Sequence, residues 1–470
     1  MAEISRAHVV DACRYFDSWV AFRLHAENVP GVQAAVLHED DVVLSTAHGV
    51  SSVATDEPLT DRHLFRIASH SKTFTATAVM QLVERGVVRL DDTVVQWIPD
   101  LVESPISSVT VRELVSHAGG VIRDGRDGDF WQLYRSFPDR SELLRVAAAD
   151  AAVLPRNERF KYSNIGFSLL GLVIEAASAQ SYNDYVAEHI VGRLGLLNTG
   201  PEYVPSRAPE YAGGHSALSY ADTRIPIDHV DTAAMAPATG FFSTASDLVQ
   251  YTSAHFEHDE RLVGDDAKRQ MQHAEWDVGG TDTSYGLGFA IATIGDRRVL
   301  GHGGGYPGHI TRTFFDPVDR LSVSVLTNAI DGPALAWATA AIRLIDLAAA
   351  DQGGERRPSD ELAPYCGRYA SLWGVYDIVA LGGRLYQLDP SVADPVMSPT
   401  RLEVIDDATL GIASTPGYGS RGERISYEFA DDGSVASVRA GSGTTALPID
   451  AFRDALQGRV RVGPGDPIRH

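Results

Sequence analysis

Lysine is nearly absent from this chain. Of its 40 basic residues only Lys72, Lys161 and Lys268 are lysines, and the rest are arginines. Arginine does not give up its proton, whereas a buried lysine does, so each retained lysine is a candidate for proton transfer. Cysteine is scarce too. Cys13 and Cys366 lie far apart in sequence and exclude a disulfide framework. There is no tight cluster of His, Cys and carboxylate residues, so neither a metal nor a cofactor is expected; His63 and His70 read as structural. Positive charge is also lacking, with 62 acidic residues and a net charge of -22. That argues against nucleic acid and anionic membrane as partners, because both require basic patches. No stretch reaches the roughly 18 apolar residues of a membrane span. The first residues, MAEISRAHVVDACRYF, do not read as a signal peptide, and the expectation is a cytoplasmic protein.

What is present is an apolar fraction of 44% over 470 residues, enough for two or three cored domains. Val9 to Arg23 reads as an amphipathic helix, and Val32–His38 with Val42–Ala47 as a β-hairpin about Glu39-Asp40-Asp41. Ser69 opens a helix stopped by Gly86. Helices and loops then dominate to about residue 280, among them GFSLLGLVIEAA and a capping box at Thr244–Asp247. Strands return at Leu287–Ile294, Arg298–His302, Ile310–Phe315 and Leu321–Thr327, and Ala334–Ala350 closes the segment as a helix. This order predicts an α+β domain over residues 1–350, with one antiparallel sheet shared by both ends. Residues 351–360 read as a polar linker. From Cys366 to Ile449 about eight short strand-like runs separated by turn signals predict a small antiparallel barrel, taken to occupy residues 361–470.

Three motifs carry chemistry. In Ser69-His70-Ser71-Lys72 the lysine follows the serine by three residues and shares its helix face, so it can reach the hydroxyl and activate it. The same spacing also fits a capping serine and a lysine running to solvent. In Tyr162-Ser163-Asn164 a phenolate stabilised by a nearby ammonium could take the Ser69 proton, and Asn164 offers an amide to orient Lys72 or a substrate. Lys161 adjoins this motif, with a structural or solvent role. In Gly301-His302-Gly303-Gly304-Gly305 the glycines let a substrate backbone lie against a strand edge, and a backbone N–H there would complete an oxyanion hole with that of Ser69. His302 would place a polar, potentially cationic group beside it. A tight glycine turn is the alternative.

The set, with FRIASHSKTFTATAVMQLVERGVVRLDD, TVRELVSHAGG, GFFSTASDL, YGLGF and GHGGGYPGHITRTFFDP leading to LTN at Asn328, resembles the serine β-lactamase and penicillin-binding-protein superfamily. The likeness covers roughly residues 14–350 and is nearest the branch of AmpC-type β-lactamases, D-aminopeptidases and esterases. The resemblance implies a β-lactamase/transpeptidase-like fold with Ser69 as acylated nucleophile, Lys72 as its proton partner, Tyr162 as general base and Asn164 in support. His302 stands where β-lactamases carry the lysine of Lys-Thr-Gly. That departure is typical of peptidase and esterase members and counts against simple β-lactamase activity. The C-terminal barrel resembles the lipocalin-like domains of some D-aminopeptidase relatives, whose loops limit substrate size. Penicillin-binding-protein-type thioesterases that cyclise nonribosomal peptides share this layout.

The expected function is therefore a serine acyl-enzyme hydrolase acting on amides or esters of small peptides, with a D-residue as one option. Peptide cyclisation, carboxylester hydrolysis and a catalytically inactive binding module are the alternatives. The oxyanion would sit between the N–H groups of Ser69 and Gly305. Gly119, Gly120 and the Arg123–Asp127 run are expected to wall the cleft, with Arg123 or Arg126 facing a substrate carboxylate or Asp124 or Asp127 an amine. Gly303 and Gly304 would line the substrate.

Overall fold

The structure is a computed structural model and describes residues 3–351, 353 and 355–459. Residues 1, 2, 352, 354 and 460–470, which the expected domain and linker limits take in, lie outside the described residues. The chain divides into two compact units. One spans Glu27–Ala338; the other combines the N-terminal stretch to Ala26 with the chain from Thr339 on. Five helices matter here: α1 (Arg6–Ala26), α2 (Ser71–Glu84), α3 (Asn164–Ser178), α4 (Ala245–Ser253) and α5 (Ala334–Ala349), the unit boundary falling within α5.

The larger unit is built on nine strands: β1 (Gly31–His38), β2 (Asp41–Ser52), β3 (Glu57–Pro58), β4 (Trp276–Val278), β5 (Thr283–Tyr285), β6 (Ala290–Ile294), β7 (Arg297–Tyr306), β8 (His309–Asp316) and β9 (Leu321–Thr327). They form one antiparallel sheet in the order β3-β2-β1-β9-β8-β7-β6-β5-β4. As expected, the sheet joins both ends of the segment: β1 pairs with β9 from Val32↔Thr327 to His38↔Leu321. Every residue of β1 and β9 is buried. Helix α4 packs against this pair. Thr244 caps α4, its hydroxyl accepting from Asp247 N at 3.2 Å. The capping box is only half formed, because the Asp247 carboxylate accepts from Asn198 N and the Thr199 hydroxyl instead.

In the second unit eight strands close a barrel in sequence order: β10 (Gly367–Ser371), β11 (Gly374–Leu381), β12 (Arg384–Leu388), β13 (Thr400–Asp406), β14 (Thr409–Ser414), β15 (Arg424–Phe429), β16 (Val435–Arg439) and β17 (Thr445–Pro448). The last strand pairs with the first at Tyr369↔Pro448. Its core is filled by side chains such as Tyr369, Ile378, Leu402, Ile425, Tyr427 and Val438. Helix α1 packs on β11, and its Asp11 carboxylate accepts from Gly382 N at 3.2 Å.

Candidate active site

Ser69 sits on a turn, not on the helix proper. Ala68–His70 form a single 3-10 turn and α2 begins at Ser71. Ala68 has φ +45°, a left-handed conformation that costs a non-glycine residue about 1–3 kcal/mol and persists only where the surroundings enforce it. Here they do. The Ser71 hydroxyl donates to Ala68 O (2.6 Å) and accepts from Phe241 N (3.0 Å), while Ile67 N donates to Phe241 O. His70 donates from Nδ1 to Ile67 O (3.1 Å), and its Nε2 accepts from the Thr313 hydroxyl on β8 (3.0 Å). Burial lowers the His70 pKa to about 3, so this histidine is a neutral tie between turn and sheet.

Lys72, on the first turn of α2, is fully buried. Its Nζ donates to Asn164 Oδ1 (2.7 Å) and Ala238 O (2.8 Å) and lies 3.3 Å from Ser69 Oγ. Tyr162 approaches from the other side and donates from its hydroxyl to Ser69 Oγ at 2.7 Å. Asn164 is the first residue of α3, whose cap is Ser163, accepting from Gly166 N. Its Nδ2 donates to Asp124 Oδ1 at 2.6 Å. Burial drives the Lys72 pKa well below the ordinary lysine value, opposed by the negative charge of Asp124 and assisted by Arg123. Burial pushes the Tyr162 phenol up, against the Ser69 hydrogen bond and Arg123. The pair is therefore poised as a neutral amine and a protonated phenol. This reverses the expected resting charges, a lysine ammonium beside a phenolate: desolvation disfavours both ions, and Lys72 Nζ lies over the Tyr162 ring, 4.8 Å from its centre.

The third motif does not turn. Gly301–Gly305 continue β7, and Tyr306 and His309 pair across the turn that follows. Strand β6 covers β7 only as far as Gly301, so from His302 onward that flank of β7 faces the Ser69 turn instead. The approach is close: a Cβ on Gly304 would lie 2.1 Å from Ile67 O. His302 is buried and neutral, its pKa driven well down by burial and by Lys72. Its Nδ1 donates to Gly303 O (2.6 Å) and its Nε2 accepts from the Tyr285 hydroxyl (3.2 Å). Burial and the neighbouring Lys72 thus disfavour the cationic form expected as an option at this position. A cavity of about 460 Å³ opens beside the strand, lined by Tyr162, Tyr285, His302, Gly303, Gly304 and Gly305 among others.

Ser69, Lys72, Tyr162 and Asn164 thus converge through hydrogen bonds, with His302 and Gly303–Gly305 on the adjoining strand. Arg123 joins them, its guanidinium 5.3 Å from the Tyr162 ring centre and its backbone O accepting from Asn164 N. Gly119 and Gly120 are buried and are not among the cavity's lining residues. Gly120 has φ +64°, and a Cβ there would strike Leu154 O at 2.1 Å, so its requirement is backbone packing. Lys268 is buried in hydrogen bonds with Phe256 O and Asp265. Lys161 is half-buried, its Nζ 3.4 Å from Tyr162 O. The Asp124 carboxylate is occupied by Asn164, Trp131 and Arg123, so it orients the site and is not free for a substrate amine. Sequence reading missed His117, at φ +60°, whose ring packs 4.4 Å from that of Tyr162 and whose Nδ1 accepts from Ser163 N. It missed Tyr285 and the Ala238 carbonyl as well. The stretches VRELVSHAGG and YGLGF held two of these, but nothing local marks their contacts.

A Ser-x-x-Lys turn facing Tyr-x-Asn beside an uncovered strand flank, on an antiparallel sheet interrupted by a helical insertion, defines the β-lactamase/transpeptidase-like architecture. The chain belongs to the Beta-lactamase family, whose sequence profile matches residues 16–346. It is 28% identical over 301 residues to Penicillin-binding protein 4* of Bacillus subtilis (strain 168), covering 61% of this chain and 66% of that protein. It is 25% identical over 324 residues to a D-aminopeptidase of Cereibacter sphaeroides, covering 64% and 57% respectively. The chain thus spans less than two thirds of either relative. Among solved structures, the octameric penicillin-binding protein homologue from Pyrococcus abyssi aligns over 92% of this chain and 99% of its own, with 24% identity and a TM-score of 0.66. Among the described residues no helix is long and apolar enough to cross a membrane.

Proposed function

We propose that this protein is a serine acyl-enzyme hydrolase that cleaves amide bonds in small peptides, including those of D-residues. The observation that carries the reading is the placement of Ser69 Oγ, 2.7 Å from the Tyr162 hydroxyl and 3.3 Å from a fully buried Lys72 amine. In this reading neutral Lys72 takes the Ser69 proton as Oγ attacks the carbonyl carbon. The oxyanion is held by the N–H groups of Ser69 and Gly305. Tyr162 gives its proton to the departing amine, its transient phenolate lies beside the newly charged Lys72, and the lysine proton then restores the phenol. Water, deprotonated by the same pair, releases the acyl group. Asn164, anchored by Asp124, fixes Lys72 throughout. The D-aminopeptidase similarity supports the D-residue option.

The test is a fluorophosphonate probe followed by intact mass, then a panel of D- and L-aminoacyl amides, esters and peptidyl thioesters with product masses. One adduct on wild type and none on Ser69→Ala, with linear acids as products, is expected. Absence of an adduct on wild type overturns the serine mechanism. A dominant product lighter by one water, from a thioester with a free amine, replaces hydrolysis with cyclisation.

A further inference from the structure

His117 follows the short helix Val111–Val115 and reaches the Tyr162 segment twice. Its backbone carbonyl accepts from Lys161 N at 2.8 Å, and its Nδ1 accepts from Ser163 N at 3.1 Å. The two amides that flank Tyr162 are therefore held by one residue. The imidazole also lies against the phenol, with ring centres 4.4 Å apart and planes inclined by 38°. Phe160, Phe167 and Tyr285 surround it further, their ring centres 5.5, 4.9 and 4.9 Å away.

These contacts fix the tautomer. A neutral imidazole carries one ring proton; Nδ1 accepts, so the proton is on Nε2. Among the described residues Nε2 is buried without a hydrogen-bond partner. A buried N–H left unpaired is costly, and the left-handed φ of +60° adds strain to a residue that is not glycine. Stability alone would not choose histidine here. Asparagine sits more readily at that φ, and phenylalanine would fill the ring space with no polar atom to bury. The imidazole supplies what neither offers by itself, an acceptor for Ser163 N and a flat face for the phenol.

We propose that His117 is the positioning residue for Tyr162, clamping its backbone on both sides and its ring on one face so that the hydroxyl meets Ser69 Oγ at 2.7 Å. The inference rests on the acyl-enzyme reading for what that hydroxyl does. Residues 160–163 belong to neither helix nor strand, so no ladder of backbone hydrogen bonds holds the phenol in place. The two bonds from His117 take over that task. The Ser163 hydroxyl is tied separately to Ile122 O at 2.7 Å, which secures the start of α3 and leaves the phenol to His117. A misplacement of about 1 Å at a reacting group costs about 100-fold in rate, so the clamp acts on the rate through Tyr162 alone.

The test is a double-mutant cycle on the rate of fluorophosphonate labelling and on kcat and KM, with Tm measured for every variant. His117→Phe keeps a flat ring and loses the acceptor; His117→Asn keeps a short acceptor, suits the left-handed φ and loses the ring. His117→Phe should lower labelling and kcat about 10- to 100-fold with KM little changed, because the phenol acts in the transition state. His117→Asn should recover part of that rate. On a Tyr162→Phe background neither substitution should slow labelling further, since the hydroxyl it acts through is gone. Both variants enter the cycle, so the result does not hang on one of them folding. Wild-type labelling rates in both, or the same slowing with and without the Tyr162 hydroxyl, overturns the proposal in favour of a purely structural role. Amide hydrogen exchange of residues 160–164, read by mass, gives a measure free of chemistry: exchange at Ser163 should quicken about 10-fold in His117→Phe. Failure of wild type to accept the label defeats the acyl-enzyme reading. The exchange then decides alone, and an unchanged rate overturns the clamp.

Discussion

Lys72 must be buried enough to lose its proton and still touch a serine. The chain solves this by giving the amine two acceptors, the Asn164 amide oxygen and the Ala238 carbonyl, and setting the Ser69 hydroxyl 3.3 Å from its nitrogen. Arginine has more donors but keeps its proton. Lys72→Arg should therefore lower kcat/KM by about 100- to 10,000-fold, the range for loss of a general base, with fluorophosphonate labelling slowed in parallel; near-normal turnover would remove Lys72 from the proton path. Asp124 offers a finer test. Its charge raises the Lys72 pKa against burial, and the active form requires neutral Lys72. Asp124→Asn removes that charge, so the acid limb of the kcat/KM profile should move to lower pH. If Asp124 served only to hold Asn164, the rate would drop at every pH and the limb would stay in place.

At the scale of elements, the site is made by how closely β7 approaches the Ser69 turn. Gly304→Ala would put a methyl 2.1 Å from Ile67 O and 2.5 Å from the Thr311 hydroxyl, so strand and turn must part. A cost of about 1–3 kcal/mol is expected, with a fall in labelling rate larger than the fall in Tm implies. Gly305→Ala would meet only Ile310 Cδ1 at 3.6 Å, and its Tm should stay near wild type; equal destabilisation by both would show that the approach is not the constraint. These relations also mark what the sequence could show. Spacing of three or two residues placed Lys72 against Ser69 and Asn164 beside Tyr162, because such neighbours are fixed by one helical turn or one strand step. An apolar-rich run marked β1, and short runs between turn residues marked β8 and β9. Strands β4 and β5, at three residues each, are too short to show a period. Asp124 against Asn164 is a tertiary pairing, 40 residues apart, with no local signal. The protonated phenol favoured at Tyr162 differs from the expected phenolate because burial, the main influence on it, is invisible in a sequence.

Across the whole molecule, buried neutral histidines set the response to acid. Burial lowers His70 to about 3, His229 to about 4 and His255 to about 3, and it drives His117, His302 and His309 well below the ordinary 6.5. All six lie in the unit spanning Glu27–Ala338. Below pH 6.5 the unfolded chain takes up protons that the folded unit refuses, so stability present above 6.5 is lost as pH falls toward 4. Each histidine adds up to about 1.4 kcal/mol per pH unit to that slope. Glu202 and Asp247 have raised pKa values and oppose the loss, but they are two against six and begin from the lower carboxylate range. Relief of the -22 net charge on acidification also opposes it, and 1 M salt suppresses that effect by shortening the screening length to about 3 Å. In 1 M salt, therefore, the calorimetric transition of the Glu27–Ala338 unit should fall steadily from pH 7.5 to 5, while the barrel unit, which holds none of these six histidines, moves less. A transition of the larger unit that stays level across that range would mean these histidines bind protons in the folded state and are not held neutral by burial.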